Sequence, residues 1–143
     1  MGDITSASAK LYITIPGILN AAQQIQGFAT DDVFTADPVE IAQTQMGVDG
    51  HLSAGFIFSE KKTRIVLQAD SGSHSIFVAW YNAMKTTKST YYANATLTLP
   101  ATGKIATYTK GYLVTSNLIS DVKKILQPQT YNITWQDVSI TYI

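Results

Sequence analysis

The sequence predicts a mainly β chain of α+β type: an antiparallel β-barrel or sandwich with one flanking α-helix at about 72–87 and a long hairpin at about 39–58. Three observations carry this prediction. Apolar and polar residues alternate over most of the length. Turn-forming pairs such as Pro16-Gly17 and Asp49-Gly50 separate the alternating runs. Strong helical spacing is confined to the stretch around Ile76–Met84. A length of 143 residues suits a single domain, 1–143, with a real hydrophobic core.

Along the chain, Leu11, Ile13 and Ile15 share one face of a strand over Lys10–Pro16, which Pro16-Gly17 stops. A Gln-rich strand is read over Ala21–Phe28. An acidic loop opens at Thr30-Asp31-Asp32 and runs to Pro38. Residues from Val39 to Met46 are extended, and Gly47-Val48-Asp49-Gly50 is a turn, because Asp-Gly supplies the positive φ that tight hairpins need. Leu52, Ala54, Phe56 and Phe58 then alternate with Ser53, Gly55 and Ile57. Lys61-Lys62 is read as the next turn, followed by a strand with Ile65 and Leu67 on one face, ending near Ala69.

The helix comes next. Asp70, Ser71 or Ser73 is positioned to cap it. Ile76, Phe77, Trp80 and Met84 form one helical face, read as packing across the sheet, and Lys85 and Lys88 complement the dipole at the C-terminal end. The β pattern then returns in Ala95, Leu97 and Leu99, turns at Pro100-Ala101-Thr102-Gly103, and runs back from Ile105 to Val114. Leu118, Ile119, Val122, Ile125 and Leu126 have helical spacing, which allows either a short second helix ended by Pro128 or an extended or irregular segment over 116–128. In the last strand the apolar positions switch from odd (Tyr131, Ile133, Trp135) to even (Val138, Ile140, Tyr142), which predicts a β-bulge near Gln136-Asp137. The sequence ends inside this strand at Ile143 with no charge to blunt an edge, an arrangement suited to pairing with a neighbouring copy.

Charged residues make up 14% of the chain, against about a quarter for a typical soluble domain. Short neutral polar groups take their place, and such a surface is easily desolvated against another subunit. The charges are also unevenly placed. From Leu11 to Glu60 there is no Lys or Arg, while Asp31, Asp32, Asp37, Glu40, Asp49 and Glu60 all lie there. From Lys61 onward nine basic residues face three acids. Two solvated faces of one domain, or a head-to-tail contact between copies, both account for this split. No Cys is present, which excludes disulfides and thiol chemistry. Neither a signal peptide nor a membrane-length apolar run is visible, so synthesis and folding in the cytoplasm are expected.

Candidate chemistry is sparse, and no enzymatic activity, cofactor or metal is expected. His51 and His74 lack metal-ligand spacing. Ser73, His74 and Asp70 are sequence neighbours, and triads form through the fold, not along the chain. Asp31, Asp32, Asp37 and Asp49 do not follow the ligand spacing of a calcium loop. Gly47-Val48-Asp49-Gly50 lacks the Lys of a phosphate loop, and Asn94-Ala95-Thr96 and Asn132-Ile133-Thr134 are chance matches to a glycosylation acceptor. The basic clusters Lys61-Lys62-Arg64 and Lys123-Lys124 are not interleaved with aromatics, and a neutral chain is a poor tight binder of DNA.

Between Phe28 and Met84 the chain carries Asp37-Pro38-Val39-Glu40-Ile41, Met46-Gly47-Val48-Asp49-Gly50, Leu67-Gln68-Ala69-Asp70-Ser71 and the helical Ile76-Phe77-x-x-Trp80-Tyr81. Together these resemble the tail-tube proteins of contractile-tailed bacteriophages, and Tyr131-x-Ile133-x-Trp135 is similar to the closing strand of that family. The resemblance implies a homohexameric ring whose copies stack into a hollow inner tube within a contractile sheath. DNA would pass through the lumen without specific binding. It further implies baseplate, sheath and terminator partners, no membrane association, and a place in the virion tail after assembly in the host cytoplasm. A tail terminator, another tail structural protein, or the tube of a bacteriocin or type VI-like system shares this plan. On this reading Asp31, Asp32, Asp37, Asp49, His51, Lys61, Lys62 and Arg64 form the ring-stacking interface, and a lumen lined by Gln, Thr and Ser would let DNA slide.

Overall fold

A computed structural model describes residues 9–26, 34–100, 102–119 and 122–142. Its elements run β1 (Lys10–Ile15), β2 (Leu19–Ile25), β3 (Phe34–Ala36), β4 (Ala42–Met46), β5 (Leu52–Phe56), β6 (Lys61–Leu67), α1 (His74–Thr87), β7 (Ala93–Leu99), β8 (Lys104–Ser116) and β9 (Gln129–Tyr142). Seven strands form one antiparallel sheet in the order β2-β1-β7-β8-β9-β6-β3, and β4 pairs only with β5 in a second sheet. The fold is therefore mainly β with one helix, as the alternation predicts. It is open and sandwich-like, not a closed barrel, with β2 and β3 at its two ends. The sheet curves strongly. Phe34 on β3 reaches past β6 and β9 to bring its ring 5.8 Å from that of Tyr108 on β8.

Alternation builds the core. Leu11, Ile13 and Ile15 of β1, Ile65 and Leu67 of β6, Ala93, Ala95 and Leu97 of β7, and Tyr131, Ile133 and Trp135 of β9 all turn to one side and are buried. Helix α1 closes that side with Phe77 and Trp80, both buried, while Ile76 and Met84 pack at its margin. Phe77 stacks on Tyr131 at 4.1 Å, and the Trp80 indole N–H donates to the Tyr91 carbonyl at 2.8 Å. Each aromatic buried here contributes about 1.5–3 kcal/mol of transfer free energy before the entropy cost of ordering it.

The helix is anchored differently from the capping prediction. Ser73 occupies the N-cap position, but its hydroxyl makes no capping bond. That hydroxyl instead accepts from the Gln26 N–H at 2.9 Å. Ser71 accepts from the Ser73 N–H at 3.2 Å and donates to the Gln26 carbonyl at 2.5 Å. The serines tie the helix start to the end of β2. His74 adds a second tie: its Nε2 meets the Gln68 carbonyl at 2.6 Å and its Nδ1 meets the Tyr131 hydroxyl at 2.7 Å. A carbonyl only accepts, so in the neutral ring Nε2 carries the proton and the Tyr131 hydroxyl donates to Nδ1.

Five expectations from the sequence change in the structure. The acidic loop to Pro38 contains β3, whose Phe34 is drawn into the sheet beside Ile65. Lys61-Lys62 is not a turn but the start of β6, paired with Trp135 and Thr134; its side chains alternate as strand residues do. No helix forms over 118–126 among the described residues, and Leu118 adopts φ 66°. The segment's apolar side chains stay exposed, and a short helix without a buried face has no packing to support it.

The predicted bulge at Gln136-Asp137 also moves. The β8–β9 register runs unbroken through Tyr108↔Val138, Thr109↔Asp137 and Gly111↔Trp135. Both strands switch faces together there. The extra residue lies on β8 relative to β7, between Ala93↔Gly111 and Ala95↔Tyr108. Lys110 sits in it with φ 52°, and its N–H is taken by the Asn94 side-chain oxygen at 3.0 Å. A second irregularity follows between Leu113 and Thr115. Finally, β9 is not a simple edge. Residues 131–135 lie between β8 and β6, and among the described residues the part beyond Trp135 pairs with β8 alone.

At Gly111 the Trp135 ring occupies the place of a side chain: a Cβ there would sit 2.2 Å from Trp135 Cε3. Gly111→Ala is expected to cost about 2–4 kcal/mol in denaturant unfolding, at or above the usual overpacking range, because the indole is pinned and cannot yield. Gly55→Ala, with open space around it, should stay within about 0.5 kcal/mol of the parent. Similar losses at both positions would contradict the steric account.

Burial pushes the Tyr131 phenol up to about 12 and raises that of Tyr108 as well. The unfolded chain loses the Tyr131 proton near pH 10 while the fold retains it. Stability is therefore complete below about pH 10 and falls as pH rises towards 12. Ultraviolet tyrosinate titration should show Tyr131 ionising with unfolding, and Tyr131→Phe should flatten this part of the stability profile. Ionisation of Tyr131 alongside the exposed tyrosines in a still-folded protein would contradict it.

Candidate assembly surfaces

The β4–β5 hairpin stands outside the core: every residue of both strands is exposed. Its cross-strand pairs sort the side chains by face. Ala42↔Phe56, Thr44↔Ala54 and Met46↔Leu52 share one face, while Gln43↔Gly55 and Gln45↔Ser53 share the other. One face is thus apolar and the other polar. The Ile57 N–H bonds to the Ile41 carbonyl at 3.0 Å and Ser59 Oγ to the Glu40 carbonyl at 2.7 Å, which extends the ladder to the base. Phe56 and Phe58 meet edge to face at 5.3 Å. At the tip, the Gly47 N–H closes on the His51 carbonyl at 2.8 Å, and Gly50 takes the φ of 86° that an L side chain rarely adopts.

Asp49 and His51 both lie at this tip. Asp49 Oδ1 accepts from the His51 N–H at 3.1 Å, and the two side chains approach to 4.0 Å while remaining largely in water. A second group gathers elsewhere. Asp37, Lys62 and Arg64, with Glu60, Thr35 and Tyr112, line an open groove of about 660 Å³ on the sheet face away from the helix. The Asp37 N–H bonds to the Lys62 carbonyl at 2.9 Å, and Lys62 pairs with Glu60 at 3.3 Å. Lys61 points the other way along β6. Its ammonium donates to the Ser59 carbonyl at 2.8 Å and lies 3.8 Å from the Asp137 carboxylate. The residues singled out from sequence therefore divide into a hairpin tip, a mixed-charge groove and a lysine at the β6–β9 junction. Asp31 and Asp32 lie outside the described residues.

Two surfaces escaped the sequence reading. One is the outer edge of β2, which among the described residues pairs with β1 alone and exposes Asn20, Ala21 and Ala22. The other is the segment after β8, where Val122, Ile125 and Leu126 are exposed beside a groove shared with Gln68, Ala69, Asp70 and Pro128. Its signal was present as helical spacing, but that spacing marks apolar content without saying what covers it. Among the described residues no His, Asp and Glu side chains gather in a set fit to hold a metal ion, and no helix is long and apolar enough to cross a membrane.

Comparison with known proteins adds a family. The family model described as "Tail fiber protein gp32" matches residues 2–139. No curated protein sequence matches the chain. The fold is similar to solved chains of contractile assemblies. A chain from the sheath-tube complex of an extracellular contractile injection system (PVC) in its extended state has a TM-score of 0.63 at 9% identity, covering 94% of this chain and 89% of that one. A chain from the six-fold symmetrised baseplate of the anti-feeding prophage has a TM-score of 0.61 at 10% identity, covering 99% and 97%. A chain from the tube-terminating cap of the same prophage has a TM-score of 0.60 at 11% identity, covering 100% and 93%. These likenesses concern the fold.

The hairpin's apolar face lies outside the buried core. Leu52→Ser with Phe56→Ser is therefore expected to leave the thermal midpoint of the unassembled protein unchanged, a shift of less than about 0.5 kcal/mol. A loss as large as that of a core truncation would show that the hairpin packs on the domain.

Proposed function

The chain belongs to the tail fiber protein gp32 family, and from that membership we propose that it is a non-catalytic structural subunit of a contractile tail, forming the inner tube. On this reading six copies close a ring, rings stack into a conduit for DNA, and sheath, baseplate and terminator proteins contact the stack. The tube would lie in the virion tail and assemble in the host cytoplasm.

One observation carries the reading most strongly: an amphipathic hairpin holds its apolar face out of its own core. An exposed face of this kind marks an interaction surface. The open strand edges support ring closure, since among the described residues β2 and the part of β9 beyond Trp135 each present unpaired backbone on one side. Stacking is a heterologous contact, which generates open filaments. Asp49 at the hairpin tip and Asp37, Lys62 and Arg64 in the groove supply charges of both signs for it. The near end-to-end fold likeness to a chain of a sheath-tube complex agrees with a tube subunit. The likeness to a tube-terminating cap favours a terminator as the second reading, with the same contacts halted at one ring.

Negative-stain microscopy of the purified protein over a range of salt and concentration separates these outcomes. Stacked rings or tubes are expected, and single rings that never stack would favour the terminator. A monomer under every condition would refute both. Reversing Asp31 and Asp32 to Lys should weaken stacking more than ring formation, and equal loss of both would remove these residues from the stacking contact.

A further inference from the structure

We propose that the apolar face of the β4–β5 hairpin of one copy docks on the 122–126 segment of another, with Asp49 set against Lys123 and Lys124. The inference rests on the self-assembly reading above and names its receptor surface.

Each copy exposes two apolar surfaces of different shape. One is the regular hairpin face bearing Met46, Leu52 and Phe56; Phe56 is 71% exposed. The other is the irregular segment carrying Val122, Ile125 and Leu126; Ile125 is 76% exposed. Exposure at both places means that neither covers the other within one chain. Both carry large apolar side chains left in water, and mutual burial removes both from solvent at once.

The charges agree with this pairing. The hairpin and its flanks carry Glu40, Asp49 and Glu60 and, from Leu11 to Glu60, no Lys or Arg. The receptor segment carries Lys123 and Lys124. Asp70 also lines the groove beside Ile125 and Leu126. Its carboxylate sets the orientation, because Asp49 gains most by lying towards the lysines and away from Asp70. A second copy is the fitting occupant because every copy brings one of each surface. Such a contact satisfies both patches throughout an assembly and leaves them open only at its ends.

The chain has no Cys, so introduced thiols report on one contact only. Full-length Val48→Cys and Ile125→Cys proteins, carrying different tags, are mixed under assembling conditions and oxidised. A 48–125 disulfide between chains is expected, in several-fold excess over either same-site dimer, since the bond forms only where Cα atoms approach within about 7 Å. In parallel, Asp49→Lys should raise the concentration needed for assembly by roughly fivefold, and Lys123→Asp with Lys124→Asp should restore it. Circular dichroism and the thermal midpoint establish that each variant is folded.

Tubes without the 48–125 disulfide, or folded charge-swapped pairs that do not recover, overturn the docking while leaving the tube reading intact. Cross-linked oligomers that never build rings support the docking and remove the tube reading. Failure to associate at any concentration removes both.

Discussion

Gly111 and Trp135 face each other across β8 and β9, and the arrangement of the core depends on that contact. The indole fills the space above Gly111, lies 5.1 Å from the Tyr108 ring, and donates from Nε1 to Thr63 Oγ1 at 2.8 Å. One side chain thus fixes three strands, β8, β9 and β6, relative to each other. The bond to Thr63 is buried, so losing either partner strands a polar atom away from water. The same strand carries Tyr131, which stacks on Phe77 and bonds His74 at the helix start. Helix position therefore follows from the registry of β9.

The face switch beside Trp135 has a consequence for the rest of the sheet. Tyr108 and Gly111, three apart on β8, both point into the core, as do Trp135 and Val138 on β9. Paired strands that switch together keep their hydrogen bonds, so the strain is passed to β7, where Asn94 satisfies the displaced Lys110 amide. Beyond this point β9 leaves β6 and continues with β8 alone. Curvature and a one-sided strand edge thus come from the same local event.

Alternation made most strands legible, because one face of each is buried and the period of two is strict. The Ile76, Phe77, Trp80 and Met84 face was legible for the same reason at helical period. What failed was pattern without context. Lys61-Lys62 looked like a turn because two cations rarely open a central strand, yet Lys61 is held by carbonyls and Asp137, and Lys62 by Glu60. The switch in β9 was visible as parity, but parity in one strand does not reveal that its neighbour switches too. The 118–126 run had helical spacing, yet its apolar side chains remain exposed. The motifs between Phe28 and Met84 resembled tail-tube proteins, and the family match and fold likenesses lie in the same class of tail assemblies.

The hairpin shows where the limit of such reading lies. Leu52, Ala54 and Phe56 alternate as cleanly as Leu11, Ile13 and Ile15, and both runs are strands. Only the second is buried within the chain. Transfer from water has the same sign and size whether the covering surface belongs to the same molecule or to a neighbour, so period alone cannot tell one from the other. The difference lies in what surrounds the run. Around β1, apolar residues of β7 and the helix converge. Around β4 and β5 there are turn residues and acids, and among the described residues no helix covers them. An alternating run without a local partner therefore reads in the sequence like a core strand while leaving its apolar face in water.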